Sequence, residues 1–139
     1  MRQEHHTLEI STPGRGLQPF GARVGDWLGQ IKAKDGLLTV FLQHTSASLL
    51  INENADPTVL ADLERFFAKL VKDGDPMFEH DAEGPDDMPS HVRAALTQTH
   101  LSIPVAQGKL ALGTWQGLYL YEHRLRAHAR RIVLHYLGD

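Results

Sequence analysis

The chain contains no cysteine. This single absence excludes disulfide staples, thiolate zinc sites, iron–sulfur clusters and a cysteine nucleophile, so any metal site must be built from His, Asp and Glu. No run approaches the ~20 apolar residues that span a bilayer, and Met1 to Glu9 lacks a hydrophobic signal core. The expectation is a cytoplasmic protein without membrane contact. Basic excess is also missing: 14 Lys and Arg against 17 Asp and Glu give a formal charge of −3. A nucleic-acid partner is therefore not expected. Equally absent are a Walker phosphate loop, a dinucleotide fingerprint, a His-Glu-x-x-His zinc motif and a Gly-x-Ser-x-Gly elbow, which removes the common nucleotide-binding and hydrolase classes.

What is present is a single domain's worth of chain, 139 residues with 42% hydrophobic and 22% charged, a balance that offsets the entropy of ordering. We take residues 1–139 as one domain. The compositional oddity is nine histidines, a residue whose titration range and ring nitrogens suit metal ligation and acid–base work.

Hydrophobic periodicity orders the elements. His6 to Thr12 reads as a strand, followed by a loop at Pro13-Gly14-Arg15-Gly16. Val24, Trp27, Leu28 and Ile31 mark one face of a helix that ends before Gly36. Leu37 to Gln43 reads as a strand buried on both faces, and Ala47 to Asn52 as the next strand. Asp56-Pro57 supplies an N-cap and a first-turn proline for a helix whose stripe runs Val59, Leu60, Leu63, Phe66, Phe67, Leu70, Val71, closed by Gly74. Asp73 to Ser90, with seven acidic residues and three prolines, reads as an irregular solvent-facing loop, too long for a mere connector. Ser90 would cap a short helix reaching about Gln98. Strand-like runs follow at Leu101 to Val105, Lys109 to Leu112, Gln116 to Glu122 and Arg131 to Leu137. Because strands and helices do not alternate regularly, we expect an α+β fold, a mostly antiparallel sheet or sandwich with two or three packed helices.

Several constellations could carry chemistry. Were residues 44–52 extended, His44, Ser46, Ser48 and Asn52 would share a face. That face is either a solvated strand side or a pocket wall. Gln116 and Glu122 flank two leucines on the other parity-defined surface, and a carboxylate there must be exposed, paired or metal-bound. The acidic loop offers His80-Asp81, and His91 follows directly after Ser90. Arg124, Arg126, Arg130 and Arg131 form, with His123 and His128, either a solvated turn or an anion-capturing cluster.

His44-Thr-Ser-Ala-Ser-Leu-Leu-Ile-Asn-Glu53, His80-Asp81, His91 and Ser102-Ile-Pro-Val-Ala-Gln-Gly-Lys-Leu-Ala-Leu-Gly-Thr-Trp-Gln116 together resemble the YjbQ-like family, in the same order from about residue 3 to 138. The resemblance implies a compact α+β domain, a homotrimer and a His-rich metal-binding cleft near subunit contacts. Family members often carry the label secondary thiamine-phosphate synthase, joining a pyrimidine diphosphate to a thiazole phosphate with release of pyrophosphate. Many follow the strand glutamate with an Asp-Gly-Pro-Arg turn, where this chain has Glu122-His123-Arg124-Leu125-Arg126.

On this basis the expected activity is that of an enzyme on small phosphorylated metabolites. His44, His80 and His91 are the expected ligands of a divalent metal, zinc first, with an open coordination position. Asp81 or Glu122 would orient a ligand or serve as base, with Gln116 and Asn52 completing the catalytic set. Arg124, Arg126 and Ser46 would bind phosphate. The alternatives are a noncatalytic trimeric assembly protein that binds metal or anion, and a metal-assisted phosphate-ester hydrolase.

Overall fold

A computed structural model describes residues 1–139. The elements are β1 (Arg2–Thr12), β2 (Gly16–Pro19), α1 (Gly21–Gln30), β3 (Gly36–Leu42), β4 (Ala47–Glu53), α2 (Pro57–Leu70), α3 (Asp87–Leu96), β5 (His100–Ala106), β6 (Lys109–Leu110), β7 (Gln116–Glu122) and β8 (His128–Gly138). They form two sheets with every pairing antiparallel: a five-stranded sheet in the order β1-β8-β3-β5-β6 and a three-stranded sheet β2-β7-β4. This is the α+β, mostly antiparallel architecture expected. No helix is long and apolar enough to cross a membrane.

Alternation explains the core. Leu8 and Ile10 of β1, Leu38, Val40 and Leu42 of β3, Leu101, Ile103 and Val105 of β5, and Ile132 and Leu134 of β8 point inward. They meet Ala47, Leu49, Leu118 and Leu120 from the small sheet and Val24, Trp27 and Leu28 from α1 in one cluster. At roughly 1.5–3 kcal/mol per fully buried aliphatic side chain, this interior layer dominates the stability.

Several expectations are corrected. β3 is not buried on both faces: Leu37 and Phe41 are exposed, Phe41 by 46%. Their strand lies in a sheet whose outer face no helix of the same chain covers. Gly16 opens β2 rather than closing a loop, pairing Gly16 with Glu122 through Pro19 with Tyr119. α2 starts at the expected cap, where the Asp56 carboxylate accepts from Thr58 N–H at 2.9 Å, but it ends at Leu70, and none of its side chains is fully buried. Gly74, with φ +71°, instead closes the base of the following loop by donating its N–H to the Pro85 carbonyl at 2.9 Å.

Helix α3 starts at Asp87, three residues before the expected cap. Pro89 fits the first turn, where its missing N–H has no carbonyl to serve. Ser90 Oγ donates back to the Asp87 carbonyl at 2.6 Å instead of capping. The shift draws Asp87 out of the loop and onto a helix face.

Candidate active site

The outer face of the small sheet, unlike that of the large one, is covered by α2 and α3, and polar side chains fill this layer. Tyr121 on β7 meets Phe67 of α2 edge-on and donates its hydroxyl to Glu64. Arg93 of α3 donates to the same carboxylate at 3.0 Å. Ser48 on β4 pairs with His123 Nε2 at 2.8 Å. Burial, with the nearby charges of Arg93, Arg15 and Arg130, drives the His123 pKa down to about 3, so this ring is neutral at pH 7. These contacts tie α3 to the sheet and so fix the direction of its first turns.

From those turns project Asp87 and His91, one helical turn apart on one face. His80, from the loop before α3, completes a cluster whose three ligand atoms all lie within 4.8 Å of one another. Asp87 is 1% exposed, and its Oδ1 lies 3.2 Å from His80 Nε2 and 3.3 Å from His91 Nε2. Its Oδ2 accepts from Glu83 N–H at 3.1 Å. Burial opposes ionisation of Asp87, but the Glu83 N–H and the Arg124 guanidinium, joined by His80 and His91 when those rings are protonated, outweigh it and hold the carboxyl below its usual range.

The tautomer of His91 gives this geometry its meaning. Nδ1 lies 2.8 Å from the Thr45 carbonyl, an acceptor only, so Nδ1 carries the proton and donates it. In the neutral ring Nε2 then turns a lone pair toward the Asp87 oxygen. Two lone pairs at this separation repel unless a proton or a cation lies between them. Ligand atoms about 3.4 Å apart are what metal bonds of about 2.1 Å in tetrahedral geometry give; the two Nε2–Oδ1 separations of 3.2 and 3.3 Å lie near that, and the third pair lies within 4.8 Å. Two imidazole nitrogens and one buried carboxylate therefore fit a divalent ion.

The other expected residues fall elsewhere. His44 is not in this cluster; its Nε2 accepts from the Arg131 backbone N–H at 2.8 Å and its Nδ1 faces Arg130 Nη1 at 3.3 Å. It shares with His91 a cavity of about 320 Å³, also lined by Thr45, Ala94, Ala95 and Thr99. Asp81 is exposed and lines a second cavity of about 350 Å³ with Phe78, His80 and Pro89. Glu122, 0% exposed, is neither solvent-facing nor free. Its Oε1 accepts from Thr12 Oγ at 2.7 Å and Arg130 Nε at 2.8 Å, and its Oε2 from Arg130 Nη2 and from Arg124 N–H at 3.2 Å.

Arg124 is buried and bonds Asp86 at 2.9 Å and Glu83 at 2.7 Å, clamping the acidic loop. Arg126 is exposed, and its carbonyl accepts from His128 Nδ1 at 2.8 Å. Ser46 precedes β4 and accepts from Arg130 Nη2 at 3.0 Å. Asn52 and Gln116 sit at the far end of the β4–β7 pair, opposite the Ala47–Glu122 end. The Asn52 side chain caps Glu53 N–H at 2.8 Å and that of Gln116 caps Gly113 N–H at 2.8 Å.

Asp87 was not legible in the sequence as a candidate site residue. The signal was its placement four residues before His91, legible only once both stand on one helix. Arg130 was visible as part of a basic run but not as the buried partner of Glu122.

A two-sheet antiparallel α+β domain carrying a buried Asp between two His side chains defines the class. The chain matches the family model "UPF0047 protein YjbQ-like" over residues 6–139, and it belongs to that family. It is 49% identical to a UPF0047 protein of Synechocystis sp. over 99% of this chain and 94% of the relative. It is 45% identical to UPF0047 protein YjbQ of Escherichia coli O157:H7, with 96% of each chain covered. Among solved structures, a conserved hypothetical protein from Thermus thermophilus superimposes with a TM-score of 0.86 at 32% identity, covering 95% of this chain and 99% of that one. A hypothetical protein from Aeropyrum pernix gives 0.83 at 29% identity, with both chains covered in full.

Proposed function

We propose that the protein is a divalent-metal enzyme acting on small phosphorylated metabolites, with the metal, zinc first, held by His80, Asp87 and His91. The observation that carries this reading is the pair of Nε2 to Oδ1 contacts at 3.2 and 3.3 Å, which set two imidazoles around one buried carboxylate. Three protein ligands leave an open position, as catalytic sites require. A bound divalent ion would supply charge neutralisation for a phosphate or pyrophosphate oxygen. The chain's own residues orient the ligands: Thr45 holds the His91 ring through its carbonyl, Arg124 holds the loop that presents His80, and the Arg93–Glu64–Tyr121 bonds hold α3.

The finer reading is a thiamine-phosphate synthase-like transfer that releases pyrophosphate. It is supported by the family motifs and by a site that offers charge neutralisation without a free nucleophile. A homotrimer is proposed with it, supported by the uncovered outer face of the large sheet with exposed Leu37, Phe41 and Leu137. Light scattering would then give three times the chain's mass.

A second reading, a noncatalytic assembly protein that binds a metal, draws on the full occupation of Glu122 and Arg124 by protein partners. Elemental analysis of tag-free protein, with assays of pyrophosphate release and phosphate-ester hydrolysis with and without added zinc, separates the readings. The enzyme reading expects one ion per chain and metal-dependent turnover. A bound ion with no turnover across the substrate panel favours assembly. Absence of metal after reconstitution contradicts both.

A further inference from the structure

The His44 ring stands where two donors converge. At the end of the β3–β8 ladder Gln43 N–H donates to the Arg131 carbonyl at 3.1 Å. The chain then turns so that His44 Nε2 meets the Arg131 N–H at 2.8 Å while Nδ1 meets Arg130 Nη1 at 3.3 Å. A neutral imidazole has one acceptor nitrogen and one N–H. In either tautomer one of the two donors therefore faces another N–H, and an imidazolium would oppose both. Partial burial together with the charge of Arg130 holds the His44 pKa below its usual value, so the neutral ring and its single lone pair are what the donors meet.

An oxyanion has lone pairs for both. Arg130 is 3% exposed and anchored through Nε and Nη2 to Glu122 and through Nη2 to Ser46. Nη1 is its remaining arm, aimed at the half-buried ring. No carboxylate lines the cavity that His44 shares with His91, and through His91 this cavity adjoins the Asp87 cluster.

We propose that Arg130 Nη1 and the Arg131 N–H form an oxyanion subsite that the His44 ring caps in the free protein. The phosphate group of a small ligand takes the ring's place, and the rest of the ligand extends through the cavity toward His91. In taking the oxyanion to be a phosphate this rests on the reading above. The ring leaves by rotation of the His44 side chain, giving up its hydrogen bond from the Arg131 N–H to the phosphate, and no covalent bond is made or broken.

The test is a titration of chelator-stripped, metal-free protein with inorganic phosphate, followed by the Arg131 amide and His44 ring resonances, with acetate as the carboxylate control. The expected result is a saturable shift of the Arg131 amide with phosphate at lower concentration than with acetate. His44→Ala should bind phosphate about tenfold more tightly, the worth of one recovered charge-assisted hydrogen bond. Arg130→Gln should bind it at least about tenfold more weakly. An Arg131 amide that stays silent in both wild type and His44→Ala overturns the proposal, as does a His44→Ala variant that binds more weakly than wild type. If Arg130→Gln fails to fold, the His44→Ala comparison decides alone. Because no metal is present, loss of zinc binding with phosphate binding intact would strike only at the Asp87 cluster.

Discussion

Glu122 and Asp87 are both buried carboxylates, 0% and 1% exposed, yet their surroundings differ in kind. Glu122 has a dedicated guanidinium, a hydroxyl and a backbone N–H, and both oxygens are filled. Asp87 has one backbone N–H on Oδ2, while on Oδ1 it meets two imidazole nitrogens, with the Arg124 guanidinium 3.7 Å away. A buried charge that is fully paired is part of the framework; one set between two imidazole nitrogens is the candidate partner of a cation. Burial alone does not separate these two carboxylates; what their oxygens meet does.

The sharpest way to break this contrast is to remove one partner from the paired site. Arg130→Met should cost about 3–5 kcal/mol in urea unfolding, because it strands the Glu122 charge. Asp87→Asn should act on binding instead. Zinc affinity should fall by at least about 100-fold in equilibrium dialysis, with a much smaller change in unfolding midpoint. A loss of stability for Asp87→Asn as large as that of Arg130→Met would erase the distinction.

The neutral histidine beside the paired site sharpens the contrast through pH. His123 titrates at about 3 in the folded chain and near 6.5 when unfolded. Between these values the unfolded state alone binds the proton, so stability falls as pH drops from about 6.5 toward 3. The slope is about 1.4 kcal/mol per pH unit for this one group. Urea midpoints measured from pH 7 to 4 should fall in wild type and fall less steeply in His123→Gln. The smallest expected effect belongs to His80, an exposed candidate ligand on a loop. His80→Gln should weaken zinc by about tenfold with no measurable change in unfolding, which circular dichroism and dialysis on one sample would check.

Legibility in the sequence followed the same division. α2 was readable because Asp56-Pro57 and the apolar residues after it agree on where a helix starts, although Phe66 and Leu70 of that stripe are exposed. β1 and β5 were readable because their inward positions alternate with polar ones, whereas the apolar run of β3 announced a strand but hid its exposed face. β2 was not, since Gly16 to Pro19 carries a glycine, a proline and one glutamine in four residues, a composition that local propensity assigns to a turn and that only pairing with β7 makes a strand. The site was half legible. His80 and His91 stood out by type, but Asp87 was hidden in an acidic loop until the helix start moved back to include it. Arg130 was hidden by the assumption that a basic run is solvated. β8 begins at His128, and its alternation turns Arg130 inward and leaves Arg131 exposed. His44 carried a family motif and stands one cavity away from the cluster it was grouped with, a fact that only the path of the chain after β3 decides.

If His91 Nε2 and Asp87 hold one divalent cation between them, the ¹⁵N resonance of that ring nitrogen reports it. On titration of the stripped protein with zinc, His91 Nε2 should move from the range of a free lone pair to that of a metal-bound nitrogen at one ion per chain, with Nδ1 remaining protonated against the Thr45 carbonyl. A His91 Nε2 resonance that does not change at saturating zinc, or that shows a proton on Nε2 already present at pH 8, would contradict it.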